Sequence, residues 1–504
     1  MIRPETSGDT QEKAAVMFDA AIAHYNGGRP REALRLLDVL ARLHPEVKEV
    51  HINRGASSVN LLQYGSALAS FEMALRLDPE DMEAWNWRGV ALQMLGRTGE
   101  ARACYERVIA ADPRHCEAIY NMATLFQGDE ALEPAIAHYH RALALQPNAP
   151  MSWSNLAGTL QRAGRVEEAI KSYDRALTLA GSSSALQAEL RWNKAQCLLL
   201  DGRFSEGWPL YESRMDREPV VVEFPQRHSR AIWTGSENLA EKTLLVHAEQ
   251  GYGDVIQFCR YLPMLAKRGA NVIFSVPRPL MRLLGPLPGI QFVDQTLPLL
   301  RSDYHMLLLS APLAFGTGNE SIPAAQSYLA ADADRQARWA ARIGTQGFKI
   351  AIAWQGNPSS PCDKGRSIPL YHFASLLQGP GVRLISLQKG AGSEQLRTLS
   401  GALVENFADL DVGPDALLDT AAIMAHVDLV VTSDTVTAHL AGALGRPVWT
   451  ALQFAPEWRW QLERTDSPWY PSMRLFRQGP DRQWDGVFQA MAREIDRACG
   501  RQSA

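Results

Sequence analysis

The sequence predicts an α-solenoid followed by a pair of parallel α/β lobes. Three observations carry that prediction. Prolines recur at a fixed step of 34 residues, small and bulky residues keep the same step, and beyond Pro219 short apolar runs begin to alternate with helical stretches.

The repeats come first in the chain. Pro45, Pro79, Pro113 and Pro147 are each 34 residues apart, and Ala33, Ala67, Ala101, Ala135 and Ala169 keep that step. Twelve residues before each alanine stands Ala21, Gly55, Gly89, Ala123 or Ala157; four residues after it stands Leu37, Phe71, Tyr105, Tyr139 or Tyr173. Small residues where two helices touch, a bulky one filling the gap and a proline closing each unit make a pattern that resembles the tetratricopeptide repeat over residues 14–183. A sixth unit is displaced by four residues, because Gly207 follows Ala169 by 38. Its second helix, FSEGWPLYESRM, is expected to cap the array, so the solenoid is assigned residues 11–217. The first helix of each unit lines the concave side of such a solenoid. Asn53, Asn121, Asn155 and Asn193 share one position there, with Trp87 in the third unit. A ladder of carboxamides can hold a peptide backbone whatever its side chains, or can bond only to neighbouring helices. The pattern leaves both readings open.

The apolar runs of the second region are Thr243–His247, Val272–Val276, His305–Leu309, Lys349–Trp354, Val382–Gln388 and Val427–Val431. They divide near Ala341–Phe348 into lobes over residues 218–343 and 344–504. A last helix is expected over Trp484–Ala498, and its return to pack on the first lobe is left open by the sequence.

Four loops after these runs carry candidate chemistry. In HAEQGYGDVIQFCRYLPML, Gly251 and Gly253 permit a tight turn and Asp254 opens a helix, with Gln257 one turn further on. Asp254 is either a helix cap or a carboxylate able to take a proton from an acceptor hydroxyl. In WQGNPSSPCDKGRSIPL, Lys364 and Arg366 can meet the oxygens of a diphosphate, or can be a solvated surface. In SLQKGAGSEQL, Gln388, Lys389 and Glu394 suit contacts to a base or ribose, or a satisfied cap. In VDLVVTSDTVTAHLAGALGRPVW, a buried strand runs through Asp434 and Thr435 into a helix carrying Thr437 and His439. Free N–H groups and the positive end of the helix dipole meet there at a sheet's carboxyl edge, which suits a phosphate. Downstream, Trp458, Trp460, Trp469 and Tyr470 stand among arginines, placed either to stack on a ligand or to pack the lobes together.

Composition narrows the function classes. A formal charge of −4 with no basic block disfavours a nucleic-acid surface. The cysteines Cys104, Cys116, Cys197, Cys259, Cys362 and Cys499 are scattered without metal spacing and read as reduced thiols. No apolar stretch has the length of a membrane span, and a cytoplasmic location is expected. The P-loop, GxGxxG and GxSxG signatures are missing, and Asp409 with Asp411 is a lone acidic pair.

The strings Gly253-Asp254-Val255-Ile256, Leu262-Pro263-Met264-Leu265, Asp434-Thr435, Ala438-His439-Leu440-Ala441 and Gly445-Arg446-Pro447, in this order, resemble the GT-B glycosyltransferases of the ADP-heptose:lipopolysaccharide heptosyltransferase group (family 9-like). The longer strings RSIPL, SLQKG and DSPWYPSMRLFRQ are similar to bacterial tetratricopeptide-repeat proteins with such a region at the C-terminus. The resemblance implies two Rossmann-like lobes, the first for the acceptor and the second for a nucleotide-sugar. It implies Asp254 as general base, the Lys364–Arg366 loop and Asp434–His439 on the donor diphosphate, and Glu394 as the donor's acidic contact. Val436 stands where the group usually has glycine after Asp-Thr. An inverting transfer with no metal and no cofactor is implied. The acceptor is expected to be Ser or Thr of a polypeptide held by the repeats, as in O-GlcNAc and repeat-containing flagellin glycosyltransferases. The alternatives are a lipid-linked or surface glycan as acceptor, or a scaffold with a degenerate transferase domain.

Overall fold

The computed structural model describes residues 8–217, 231–298, 301–360, 363–377, 381–397 and 403–498. The expected beginning of the first lobe (218–230), Cys362, Cys499 and the chain's last residues lie outside the described set. The chain forms two compact units, Met1–Gly181 and Ser182–Ala504.

The first unit is built of helix pairs: Gly8–Asn26 with Pro30–Leu43, Lys48–Asn60 with Tyr64–Leu77, Met82–Met94 with Thr98–Ala111, Cys116–Gly128 with Leu132–Leu145, and Pro150–Arg162 with Val166–Leu179. The 34-residue spacing has a direct physical cause. Ala33, Ala67, Ala101, Ala135 and Ala169 are wholly buried. The small residue twelve places earlier is where the partner helix lays its bulky ring. A Cβ on Gly55 would stand 2.4 Å from the Phe71 ring, and one on Gly89 would stand 2.5 Å from Tyr105. The closing prolines also contribute carbonyls. Trp85 Nε1 and Trp153 Nε1 each donate to the proline carbonyl six residues earlier, at 2.9 Å.

The second unit opens with the helix pair Ser184–Leu200 and Phe204–Tyr211 and a 3-10 turn, Glu212–Asp216. The sequence reads this pair as the solenoid's last unit; its packing ties it to the α/β region. Trp208 Nε1 donates to Thr317 O at 2.8 Å, Asn319 Nδ2 donates to Gly202 O at 3.0 Å, and the Trp208 ring lies edge-on to Trp458.

Two parallel sheets follow. The first has strands β1 (Ala231–Ile232), β2 (Thr243–His247), β3 (Asn271–Val276), β4 (Ile290–Asp294) and β5 (Tyr304–Leu307), in the order β1-β5-β2-β3-β4. The second has β6 (Phe348–Ala353), β7 (Val382–Ser386), β8 (Val404–Glu405), β9 (Leu429–Ser433), β10 (Val448–Leu452) and β11 (Met473–Arg477), in the order β11-β10-β9-β6-β7-β8. β9 and β10 are buried along their whole length, as strands covered on both faces must be. Strand order reverses between β2 and β5 in one sheet and between β6 and β9 in the other. Such switch points open crevices at the strands' carboxyl ends, and the loops after β2, β6 and β9 leave there.

Two packing details place the ends of the lobes. Helix Ala333–Ile343, just before the expected division, packs on the second lobe: Trp339 Nε1 donates to Asp419 at 2.8 Å and its ring meets Phe407. The terminal helix Asp485–Ala498 also sits on the second lobe, where Val487, Phe488, Met491 and Ile495 join the core formed by Ile350, Ile352 and Phe373. Among the described residues no helix is long and apolar enough to cross a membrane.

Two glycine substitutions in the repeats should act in opposite directions. Gly89→Ala gains roughly 1 kcal/mol of helix propensity but drives a methyl into the fully buried Tyr105, whose hydroxyl is fixed on Gln93 at 2.9 Å. Overpacking of that kind costs about 1–3 kcal/mol, so a lower urea midpoint by far-UV circular dichroism is expected. Gly99→Ala, on a helix surface with nothing within 4 Å, should leave the midpoint unchanged or raise it.

Candidate functional site

The loop after β2 turns through Gln250, which has a positive φ of 60°, and reaches Gly251 at the start of helix Tyr252–Phe258. Asp254 divides its carboxylate between two partners. Oδ2 accepts from Gly251 N at 2.9 Å, a helix-capping contact. Oδ1 points out of the helix and is ion-paired with Arg459 from the second lobe. Gln257, one turn on, accepts from Arg459 Nε at 2.5 Å. Gly253 needs its missing side chain, because a Cβ would stand 2.8 Å from His439 Cδ2.

Across the cleft, β9 ends at Ser433, and Thr435 is the N-cap of helix Val436–Ala443 in extended conformation. Its side chain makes no capping bond and lies instead 3.3 Å from Thr432 Oγ1. That leaves the first-turn N–H groups without a side-chain cap. Arg366 is brought to this point from the loop after β6 and donates through Nε to Asp434 O at 3.0 Å. Lys364 is exposed two residues before it, and Thr437 is buried on the helix. His439 is buried too, its Nδ1 2.9 Å from the Tyr470 hydroxyl and its ring stacked on Trp460. Burial, reinforced by Arg459, Arg366 and Arg260, holds its pKa well below the usual imidazole range, so the ring is neutral.

Other candidates stand elsewhere. Gln388 accepts from Trp354 N and Gln355 N at 3.0 Å each and donates to Gln355 O and Ala391 O, clasping the loops after β6 and β7 together. Lys389 Nζ donates to Asp411 O, and Glu394 is exposed on a short 3-10 helix. In the repeats, Asn121 donates to Asn86 Oδ1 at 3.0 Å and Asn155 to Tyr120 OH at 2.7 Å, each reaching the preceding unit. Asn53 bonds to Glu49 O and Asn193 to Glu189 within their own helices, while Trp87 stacks on Phe71. Every amide of the ladder therefore has an internal partner.

Arg459 and Glu457 were not singled out from the sequence. The only local signal was their place among the tryptophans of PEWRWQ, and those rings do pack the lobes together: Trp458 and Trp469 both meet Phe258 of the first lobe. The Arg459 guanidinium is shared by Asp254, Gln257 and Glu457. Burial pushes the Glu457 carboxyl up to about 7, opposed by Arg459 and reinforced by Asp434 and Asp254. Around this cluster Gln257 Nε2, Ser433 Oγ and Trp460 Nε1 are buried donors without a protein partner. Among the described residues no group of three or more His, Cys, Asp or Glu side chains is placed to hold a metal ion.

A helix N-terminus with an arginine beside it faces a carboxylate across two parallel-sheet lobes, an arrangement suited to an anionic ligand. Residues 326–469 match the family model of glycosyltransferase family 9 (heptosyltransferase), and residues 15–46, 57–115 and 149–206 match tetratricopeptide-repeat models. The chain thus carries tetratricopeptide repeats followed by a family 9 glycosyltransferase region; the matched segment holds Arg366, Asp434, His439, Glu457 and Arg459 and leaves Asp254 outside. Protein FlbA of Caulobacter vibrioides is 28% identical over 315 residues, covering 57% of this chain. The match spans about half of that relative, 52% of its length. Among solved structures, MamA 41-end from Desulfovibrio magneticus RS-1 is 27% identical over 34% of this chain and 97% of its own, with a TM-score of 0.30. A thermophilic TPR protein of Thermus thermophilus is 21% identical over 37% of this chain and 99% of its own, with a TM-score of 0.34.

The Glu457 carboxyl gives a pH signature. Its pKa is about 7 folded against 4.5 as a free side chain, so the stability it contributes is full below pH 4.5 and is lost as pH rises through 7. Glu457→Gln should flatten the fall in thermal stability between pH 5 and pH 8 by roughly 1–2 kcal/mol, read by scanning calorimetry at both pH values.

Proposed function

We propose that this chain is a glycosyltransferase that moves a sugar from a nucleotide-diphosphate donor to an acceptor hydroxyl with inversion. The observation that carries the reading is the pairing of Asp254, on the first lobe's β2 loop, with Arg459 of the lobe that matches family 9, where Arg366 is bonded at the entry to helix Val436–Ala443.

In this reading the acceptor oxygen attacks the anomeric carbon as the carbon–oxygen bond to the diphosphate breaks. The leaving group keeps the bonding electrons, and the acceptor proton passes to Asp254. The sugar carries oxocarbenium character, as in other glycosyl transfer. Arg366, Lys364 and the uncapped first turn behind Thr435 oppose the charge that grows on the diphosphate. This chemistry runs without a metal or cofactor. Arg459 suits the proton transfer in one further respect. When Asp254 takes up a proton its hold on Arg459 weakens, while Glu457 and Gln257 keep the guanidinium partnered.

For the acceptor we favour Ser or Thr of a polypeptide. The repeats support this, since they offer an extended series of like helices suited to a chain-like ligand. The asparagine amides are engaged internally, so a bound backbone would use their remaining capacity or displace those bonds.

Two measurements test the proposal. Thermal-shift screening with ADP-, UDP- and GDP-sugars should find a donor that stabilises the protein by mass action. Asp254→Asn should retain that shift and lose transfer by about 10²–10⁴-fold. Undiminished transfer in Asp254→Asn would remove Asp254 as the base.

A further inference from the structure

Glu249 stands five residues before Asp254 and is almost wholly buried. A carboxylate in that position needs strong partners, and they come from the far end of the helix pair that opens the second unit. Arg214 grips it with two parallel bonds, Nε to Oε2 at 3.0 Å and Nη2 to Oε1 at 2.9 Å, and Leu309 N adds a third at 2.9 Å. The Arg214 side chain is only 1% exposed, and it also donates to Glu212 at 2.6 Å and to Ser310 Oγ at 2.9 Å. The next loop residue, Gln250, is a non-glycine with positive φ, and its Nε2 donates to the Tyr211 hydroxyl at 3.2 Å. Gly251 N then holds Asp254. The Tyr211 ring also lies edge-on to Trp458, the residue before Arg459, at 6.0 Å. Two side chains from one helix end therefore brace the loop leading to Asp254 and the segment carrying its ionic partner.

We infer that Arg214 and Tyr211 are positioning residues that fix the Asp254 carboxylate through Glu249, Gln250 and Gly251, making the last helix pair a working part of the transferase. The inference rests on the reading of Asp254 as base. A left-handed residue such as Gln250 persists only where its surroundings hold it. Releasing either clamp lets the loop relax and moves Asp254 without touching the donor side of the cleft.

The test compares Tyr211→Phe, which deletes one hydroxyl, and Arg214→Met with the native full-length chain. Amide hydrogen exchange over residues 248–254 should quicken by about tenfold or more, with β3 and β10 unchanged. With the nucleotide-sugar that gives the largest thermal shift among ADP-, UDP- and GDP-sugars, kcat should fall by roughly tenfold or more while donor KM stays within about twofold. Arg214→Met breaks a buried pair and can unfold the unit; Tyr211→Phe keeps the test alive in that event. Unchanged loop exchange in Tyr211→Phe overturns the inference, as does quickened exchange with kcat unaltered. Asp254→Asn measured alongside separates the two ideas: if it retains the native rate the base reading fails, while the exchange data still judge the clamp. If no nucleotide-sugar binds, the exchange comparison alone decides.

Discussion

One buried guanidinium is the constraint on which the cleft depends. Taking an arginine out of water costs several kcal/mol unless its donors are met in good geometry. Arg459 is met by Asp254 and Gln257 from the first lobe and by Glu457 from its own. Separating the lobes would take two of these three partners away from the guanidinium. Apolar contacts join the same two lobes. Trp458 and Trp469 close on Phe258, and Gly253 can approach His439 only because it has no side chain. Arg260 adds a second tie through Trp469 O at 2.7 Å and the Tyr328 hydroxyl at 2.9 Å.

The same charge arithmetic shapes what the cleft can receive. Asp254, Glu457 and Asp434 bring three carboxyl groups to a region that also holds Arg459, Arg366 and Arg260. Glu457 is partly buried, and desolvation raises its carboxyl to about 7, so it is partly protonated near neutrality. His439, held neutral by burial and by the neighbouring arginines, adds no further positive charge to this region. In the proposed function the uncapped helix turn behind Thr435 is the favourable partner for an anion.

Much of this was legible in the chain, and the legible parts share a cause. The repeat period survives in sequence because each contact that sets it, such as Gly89 under Tyr105, joins residues sixteen apart in one helix pair. Strands such as β3 and β9 are readable as apolar runs because they are buried, whereas the more exposed β1, β4 and β8 are not among those runs, and Asp434 is noticeable because it falls just beyond β9. Contacts between distant segments leave no such trace. Arg459 and Asp254 are 205 residues apart, and nothing local to either names the other. Gln388 looked like a ligand residue because it ends a strand, yet its carboxamide is spent on the Trp354–Gln355 backbone. The asparagine ladder is correctly visible as a pattern, but pattern alone cannot say that Asn121 and Asn155 reach the unit before them.

The helix pair Ser184–Tyr211 shows most clearly how a repeat motif can take on another task. An array of stacked helices ends stably only when its last face is polar or covered. Phe204, Trp208 and Tyr211 give this pair an apolar, aromatic side, and Trp458 and Trp469 of the second lobe cover it. The four-residue slip that separates Gly207 from the rhythm of the earlier units lies in helix Ser184–Leu200, which has 17 residues where the helices Lys48–Asn60, Met82–Met94, Cys116–Gly128 and Pro150–Arg162 have 13 each. Gly207 still admits a close neighbour, with a would-be Cβ 2.7 Å from Leu199, so the motif's internal packing is retained. What changed is the surface the aromatic residues face, and with it the fate of the segment that follows. Tyr211 and Arg214 emerge from the covered side directly onto the β2 loop, where a tyrosine hydroxyl and a guanidinium find Gln250 and Glu249. Without Arg214, Glu249 would be a buried carboxylate with no cation beside it, a state costing several kcal/mol. The aromatic cap and the ionic clamp are therefore two consequences of one decision in the sequence, to end the helices against the enzyme body and not against water.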